Sequence, residues 1–556
     1  MSRRAFETRI SEGVSLYLTR ALPLRLVALA LTVILPMLAA PAQERVTVIP
    51  LPSQMKLETG SFALSAQTRI EPSAGASHTA GLLSGWLLSD TGLRLPIDSA
   101  TPARADQAIV LRLAHADSAA AGAYSLHVSP ERVEIESAST DGLIYGCQTL
   151  RQLLRQHEGA WTVPAVDIED QPRLRWRGLM LDCSRTFIPL EYLRRTVDWL
   201  SFYKLNVLHL HLTDDQGWRI EIKQYPKLTT VGSRFAPRFA KEHGGYYSQQ
   251  ELRDLVQYAA ERGVTIVPEI EMPGHSTAAL AAYPELSCTG GPFEVFPFFS
   301  GPGITEDVIC PGNERTFEFL QGVLQEVADI FPGRYIHMGG DECPITRWRA
   351  CPKCRARIVA EHLPDAAALH SYFVKRIAAI VESRGKTLIG WDEIAQGDVA
   401  KDAAVMFWRG LGGVPALTKA GHDVVLSPTS HCYFDYRQSD LPQEQGEGDS
   451  PIPLDKVYSF DPVPAALGSQ AAAHILGVQA NLWTHYARTD EAMDHQLFPR
   501  LIALAEVAWT PQSERHFADF SGRLQIHCRR LEQSGVRLGL NFRSDAAVWA
   551  QPAGKH

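Results

Sequence analysis

The stretch Tyr335-Ile336-His337-Met338-Gly339-Gly340-Asp341-Glu342 reads as a buried strand that runs into two glycines and ends on two adjacent carboxylates. Glycines at a strand end let a ligand or another backbone approach closely. A strand ending at Gly340 leaves Asp341 and Glu342 on the turn, where both can be aimed at one pocket. Close carboxylates cannot both ionise freely, so such a pair splits its pKa values.

The same grammar, a short apolar run followed by a helical pattern, recurs from about residue 173. The runs are Gly178–Asp182, Val207–Leu212, Thr265–Ile270, Tyr335–Met338, Thr387–Gly390, Ala404–Phe407, Asp423–Leu426 and Ile475–Ala480. Helical spacing follows most of them, at Leu190–Tyr203, Gln249–Arg262, Arg315–Ile330 and Leu369–Ser383. Repeated βα units point to an α/β fold, a closed (β/α)8 TIM barrel over residues 173–540. An open doubly wound sheet is disfavoured because no Gly-rich phosphate loop follows the first strand.

A barrel of this kind carries its chemistry at the C-terminal ends of the strands. There the chain places Asp182-Cys183-Ser184-Arg185, Thr213-Asp214-Asp215-Gln216-Gly217-Trp218, Glu269-Ile270-Glu271-Met272-Pro273-Gly274-His275 and Asp341-Glu342. Trp391-Asp392-Glu393, Trp408-Arg409, Tyr433-Phe434-Asp435 and Trp483-Thr484-His485 follow the later strands. Carboxylates among several tryptophans suit a sugar hydrolase, since aromatic faces stack on pyranose C–H faces while acids move protons. Two carboxylates usually flank the scissile bond. Adjacent Asp341 and Glu342 do not obviously straddle one, which favours a nucleophile other than an enzyme carboxylate.

The segment His337–Glu342, with Leu212-Thr213-Asp214-Asp215-Gln216-Gly217-Trp218-Arg219 and Pro268–His275, resembles the signature of glycoside hydrolase family 20, the β-N-acetylhexosaminidases. The resemblance spans roughly residues 45–540 and implies substrate-assisted, retaining hydrolysis of a terminal N-acetylhexosamine, with a carbohydrate partner and no cofactor or catalytic metal. It implies Glu342 as general acid/base and Asp341 as the residue that holds the acetamido N–H. It further implies Tyr433 as donor to the acetamido oxygen and Trp391, Trp408 and Trp483 as pocket walls. Arg185 and Asp435 are implied as hydroxyl ligands, and Asp214 with His275 as the support of Glu342, with Asp215 the lesser partner. Burial beside an anion is expected to raise the Glu342 pKa. One departure stands out: the family typically reads Trp-x-Glu where this chain has Trp483-Thr484-His485, so His485 puts gluco against galacto preference in question. The acidic, Pro/Gly-rich part of the long loop from Thr429 to His474, Gln438–Pro453, is expected to rim the pocket.

Two other function classes are readable. His209-Leu210-His211 places two imidazoles on one strand face, a spacing that serves a metal-dependent hydrolase, with His275 or His337 as further ligands. His485 alone hints at a glycan-binding protein without catalysis. The chain has 556 residues and a net charge of −8, with nothing that suggests nucleic-acid binding. Residues 1–43 read as an export segment, with Arg20 and Arg25 before the apolar run Leu26–Ala42, and place the mature protein in the periplasm or outside the cell without a stable membrane span. Ser2-Arg3-Arg4-Ala5-Phe6 resembles a twin-arginine start. Residues 45–165 read as a small α/β packing domain, with strands at Val46–Ile49, Ile109–Leu113, Tyr124–Val128 and Arg132–Ile135, and 541–556 as a C-terminal tail. Of the nine cysteines, Cys288 and Cys310 flank a Gly/Pro/Phe-rich stretch that a disulfide can close. Cys351-Pro352-Lys353-Cys354 with Cys343 offers a three-thiolate zinc site.

Overall fold

The computed structural model describes residues 47–98, 107–114, 121–239, 244–301, 303–464 and 467–543. The export segment read in 1–43 and most of the tail lie outside these residues. Among the described residues no helix is long and apolar enough to cross a membrane.

Eight parallel strands close into a barrel in chain order. They are Trp176–Asp182, Val207–His211, Thr265–Glu269, Tyr335–His337, Thr387–Trp391, Ala404–Phe407, Val424–Leu426 and Ile475–Leu482. Most are buried along their whole length, so they read as unbroken apolar runs rather than alternations. Their register matters for the site. Asp182 pairs with His211, His211 with Glu269, and Glu269 with His337. A belt of acids and imidazoles therefore crosses four neighbouring strands just beneath the C-terminal mouth.

Four long helices cover the first half of the barrel: Leu190–Phe202, Gln249–Ala260, Glu314–Ile330 and Ala368–Glu382. In the second, Leu252, Leu255 and Ala259 are buried on one face, and Ser248 with Glu251 forms a capping box that starts the helix. The alternation then breaks. After the fifth strand only the 3-10 turn Asp392–Ala395 precedes the sixth strand.

The preceding domain is a seven-stranded mixed sheet with helices Ser77–Thr91 and Thr140–Leu153. The strand expected at Val46–Ile49 is not formed among the described residues. Buried Val48 and Ile49 instead serve the seam with the barrel, where the Ile49 N–H donates to Gln152 and the Val48 carbonyl accepts from Arg523. Gln54–Leu64, which does form a strand, is exposed along most of its length and so carries no apolar alternation to announce it. Across the seam, Lys204 Nζ lies 3.1 Å from Asp170 Oδ2 and 2.9 Å from the Tyr124 hydroxyl. The Trp509 indole N–H donates to the other Asp170 oxygen at 2.9 Å.

Candidate active site

The fourth strand ends at His337, and the chain then turns through Gly339 at φ +66° and Gly340 at φ +91°. A Cβ on Gly339 would lie 1.8 Å from the Glu271 carboxyl, so that position admits no side chain. The Gly340 N–H donates to Glu271 Oε1 at 2.8 Å. Glu342 itself sits at φ +42° and its neighbour in space, His275, at φ +45°. Positive φ at two non-glycine residues costs energy and persists only where the surroundings enforce it.

Asp341, Glu342 and His275 converge: one ligating atom of each lies within 4.8 Å of the others. His275 Nε2 is 3.5 Å from Glu342 Oε2 and 3.8 Å from Asp341 Oδ2. Its Nδ1 faces Asp214 at 3.4 Å and Asp215 at 3.3 Å. Asp215 is thus as close a partner as Asp214, contrary to the sequence expectation. Thr277 explains its placement, donating to Asp215 from both backbone N–H and hydroxyl. Asp214 is also held by Arg185 at 2.7 Å and His211 at 2.8 Å.

These groups line one side of a cavity of about 350 Å³. Trp408, Tyr433 and Trp483 form other walls, and Asp435, Arg185 and His485 line it too. Trp408 stacks on Tyr433 at 6.1 Å between ring centres and 26° between planes, and the Arg185 guanidinium covers the Trp483 ring at 4.9 Å. Trp391 does not line the cavity. It is buried below it, donating its indole N–H to Glu269 at 2.8 Å and packing 6.0 Å from Trp483. Asp341 Oδ1, Asp435 Oδ1 and Arg185 Nη1 are buried without a hydrogen-bond partner among the described residues. All three residues line the cavity, so the pocket has polar valences to offer a ligand.

Comparison with known proteins identifies the arrangement. Residues 174–512 match the model of the glycosyl hydrolase family 20 catalytic domain, and residues 45–171 match that family's domain 2. The chain belongs to glycosyl hydrolase family 20.

Its relatives carry the names β-hexosaminidase, β-N-acetylhexosaminidase and N,N′-diacetylchitobiase. A β-hexosaminidase of Porphyromonas gingivalis is 41% identical over 88% of this chain and 64% of that relative, so the chain spans less than two thirds of that protein's length. A β-hexosaminidase of Vibrio furnissii is 35% identical over 84% of this chain and 79% of the relative. Among solved structures, a family 20 exo-β-N-acetylglucosaminidase from Vibrio harveyi in complex with N-acetylglucosamine superposes with a TM-score of 0.81 at 31% identity. That match covers 90% of this chain and 79% of the other.

The electrostatics of this family 20 site differ from the sequence expectation at its central acid. The hydrogen bond from His275 pulls the Glu342 pKa below its ordinary value, outweighing burial. Burial works against a charged His275, but Asp214, Asp215 and Glu342 outweigh it and hold the imidazole well above its usual pKa. Asp341 moves the other way: burial raises it, and the Glu269 and Glu342 charges add to that. Glu342 escapes full desolvation because its side chain is 38% exposed.

Residues not singled out from sequence complete the pocket. Glu447, from the acidic loop expected at the rim, lines it and stands 3.2 Å from His485 Nε2. Phe298, from the stretch between Cys288 and Cys310, stacks on His485 at 4.7 Å and 22°. Burial lowers the His485 pKa, and the Arg185 charge adds to that. The polar composition of one loop and the aromatic run Phe298-Phe299 in the other were the available signals, but neither fixes a partner.

The imidazoles of the metal-hydrolase alternative serve the barrel interior. His209 Nε2 lies 3.1 Å and His211 Nδ1 2.5 Å from Glu269 Oε2, all are buried, and neither histidine lines the cavity. They enclose a buried carboxylate. The expected Cys288–Cys310 disulfide is not formed. Each of these cysteines instead faces the pair Cys351 and Cys354, which supplies competing sulfur neighbours, while Cys343 stays out of the group.

Proposed function

We propose that this family 20 glycoside hydrolase is an exo-acting β-N-acetylhexosaminidase that releases terminal N-acetylglucosamine with retention of configuration. The observation that carries the mechanism is the crowding of Asp341 and Glu342 on one imidazole, His275. A retaining enzyme that uses its own nucleophile holds its two carboxyls about 5–5.5 Å apart on opposite sides of the bond. Here the two acids crowd one imidazole within 4.8 Å, a spacing too short to straddle the bond, which supports attack on C1 by the substrate's acetamido oxygen.

In this reading Glu342 protonates the leaving oxygen, then deprotonates the water that opens the oxazolinium intermediate. The free Asp341 Oδ1 accepts the acetamido N–H, orients its oxygen toward C1 and stabilises the developing cation. Tyr433 donates to the acetamido oxygen, and Trp408 and Trp483 hold the ring. Arg185 and Asp435 bind hydroxyls. The pKa of Glu342 suits this role only once sugar is bound: a ring in the pocket strips water from the half-exposed carboxyl and pushes its pKa up.

At the hydroxyl end, His485 stands where the family carries glutamate, and Glu447 brings a carboxylate to the same place. This pair supports recognition of the C4 hydroxyl by a two-residue unit in place of one acid. The export segment read in residues 1–43 supports action outside the cytoplasm, which fractionation of the producing cells tests. Activity is tested with chromogenic β-N-acetylglucosaminide and β-N-acetylgalactosaminide substrates on wild type and Glu342→Ala. The expected result is hydrolysis by wild type and a loss of ~10²–10⁴ in the variant. An inert wild type turns the reading toward glycan binding without catalysis.

A further inference from the structure

Away from the catalytic residues, four sulfur atoms meet. The Sγ atoms of Cys288, Cys310, Cys351 and Cys354 all lie within 4.8 Å of one another. Cys288 is 3.7 Å from Cys354, and Cys310 is 3.8 Å from Cys351 and 3.5 Å from Cys354. Zinc–thiolate bonds of about 2.3 Å in a tetrahedron put sulfurs about 3.8 Å apart, so these contacts have the length of tetrahedral edges.

The backbone is shaped around the cluster. Cys351 precedes Pro352, the first residue of the helix Pro352–Ala360, and Cys354 lies in its first turn. Cys288 and Cys310 are brought together by a bridge between Ser287 and Ile309 and by the Cys310 N–H bond to the Leu286 carbonyl at 2.9 Å. Gly312 then lets the Cys310-Pro311-Gly312 turn lie against the helix start, where a Cβ would meet Lys353 C at 2.3 Å and Cys354 N at 2.4 Å. Trp348, Val308 and Leu369 pack around the cluster, in which Cys310, Cys351 and Cys354 are buried.

We propose that Cys288, Cys310, Cys351 and Cys354 bind a structural zinc ion that clamps both ends of the loop carrying Phe298 to the helix beyond Glu342. Four thiolates fill the tetrahedron, leaving no open position, so the ion is structural rather than catalytic. The clamp reaches the active site through Phe298, whose ring lies on His485.

The test uses the full chain, tag-free and purified without reductant. Elemental analysis is expected to find about one zinc per chain, lost in a Cys351→Ser/Cys354→Ser variant, whose KM rises more than its kcat falls. Growth in cobalt is expected to give a thiolate charge-transfer band in the wild type, which decides the matter even if the variant does not fold. The proposal is overturned by metal-free protein lighter by the four hydrogens of two disulfides, by metal-free protein in which these four cysteines all react as free thiols, or by iron in place of zinc. Zinc retained in full by the double variant overturns it as well.

Discussion

His275 Nε2 stands 3.5 Å from Glu342 Oε2 while its Nδ1 faces both Asp214 and Asp215, so one imidazole links a buried acid pair to the half-exposed catalytic carboxyl. The carboxylates behind it keep the ring cationic, and the cation depresses the Glu342 pKa.

A pH dependence follows with a definite sign. Glu342 must be protonated to act as acid, so kcat/KM falls as pH rises through its pKa in the free enzyme. His275→Gln removes the cation, raises that pKa and moves the alkaline limb of kcat/KM to higher pH. In wild type the limb of kcat, set by the sugar-bound state, lies above that of kcat/KM. Profiles of both parameters for the two proteins check this, and a limb unmoved by His275→Gln contradicts it.

The hydroxyl end predicts a change in specificity. Hydrogen bonds to charged groups contribute about 1.5–3 kcal/mol, so Glu447→Gln is expected to lower kcat/KM about 10- to 100-fold, mainly through KM. His485→Glu places a second carboxylate beside Glu447 and is expected to shift the ratio of gluco to galacto substrate. Unchanged ratios in both variants would remove the pair from recognition.

The domain seam predicts a stability effect without a site effect. Asp170 accepts from Lys204, Tyr124 and Trp509 in a fully buried setting. Removing one member of a buried ion pair costs about 3–5 kcal/mol because the other charge is stranded. Asp170→Ala is expected to lose about that much in urea denaturation while the surviving folded enzyme keeps its KM. Loss below about 1 kcal/mol would mean that the Lys204 ammonium finds another partner.

The barrel was legible because its strands are buried on both faces and therefore read as apolar runs, each punctuated by polar residues at the C-terminal end. Gln54–Leu64 was not, because an exposed edge strand carries no such signature. The site residues that lie at strand ends were legible by position, and Asp341, Glu342, Tyr433 and His485 do line one cavity. Trp391 shows the limit: a strand-end tryptophan can point into the cavity or under it, and only the packing against Glu269 and Trp483 decides. Glu447 and Phe298 come from loops whose path depends on contacts distant in sequence. The Glu342 pKa depends on which side of His275 faces the carboxyl, a relation that spacing along the chain does not encode.

The central claim is that the substrate's own acetamido oxygen attacks C1 with Asp341 guiding it. The most direct measurement is kcat/KM across a series of chromogenic β-glucosaminides whose 2-acetyl group carries zero, one, two or three fluorines. Fluorine drains the nucleophilic oxygen of electron density, so the account predicts a steep monotonic fall along the series, with Asp341→Asn slow on every member. A rate independent of fluorination would contradict the account and return the nucleophile to the enzyme.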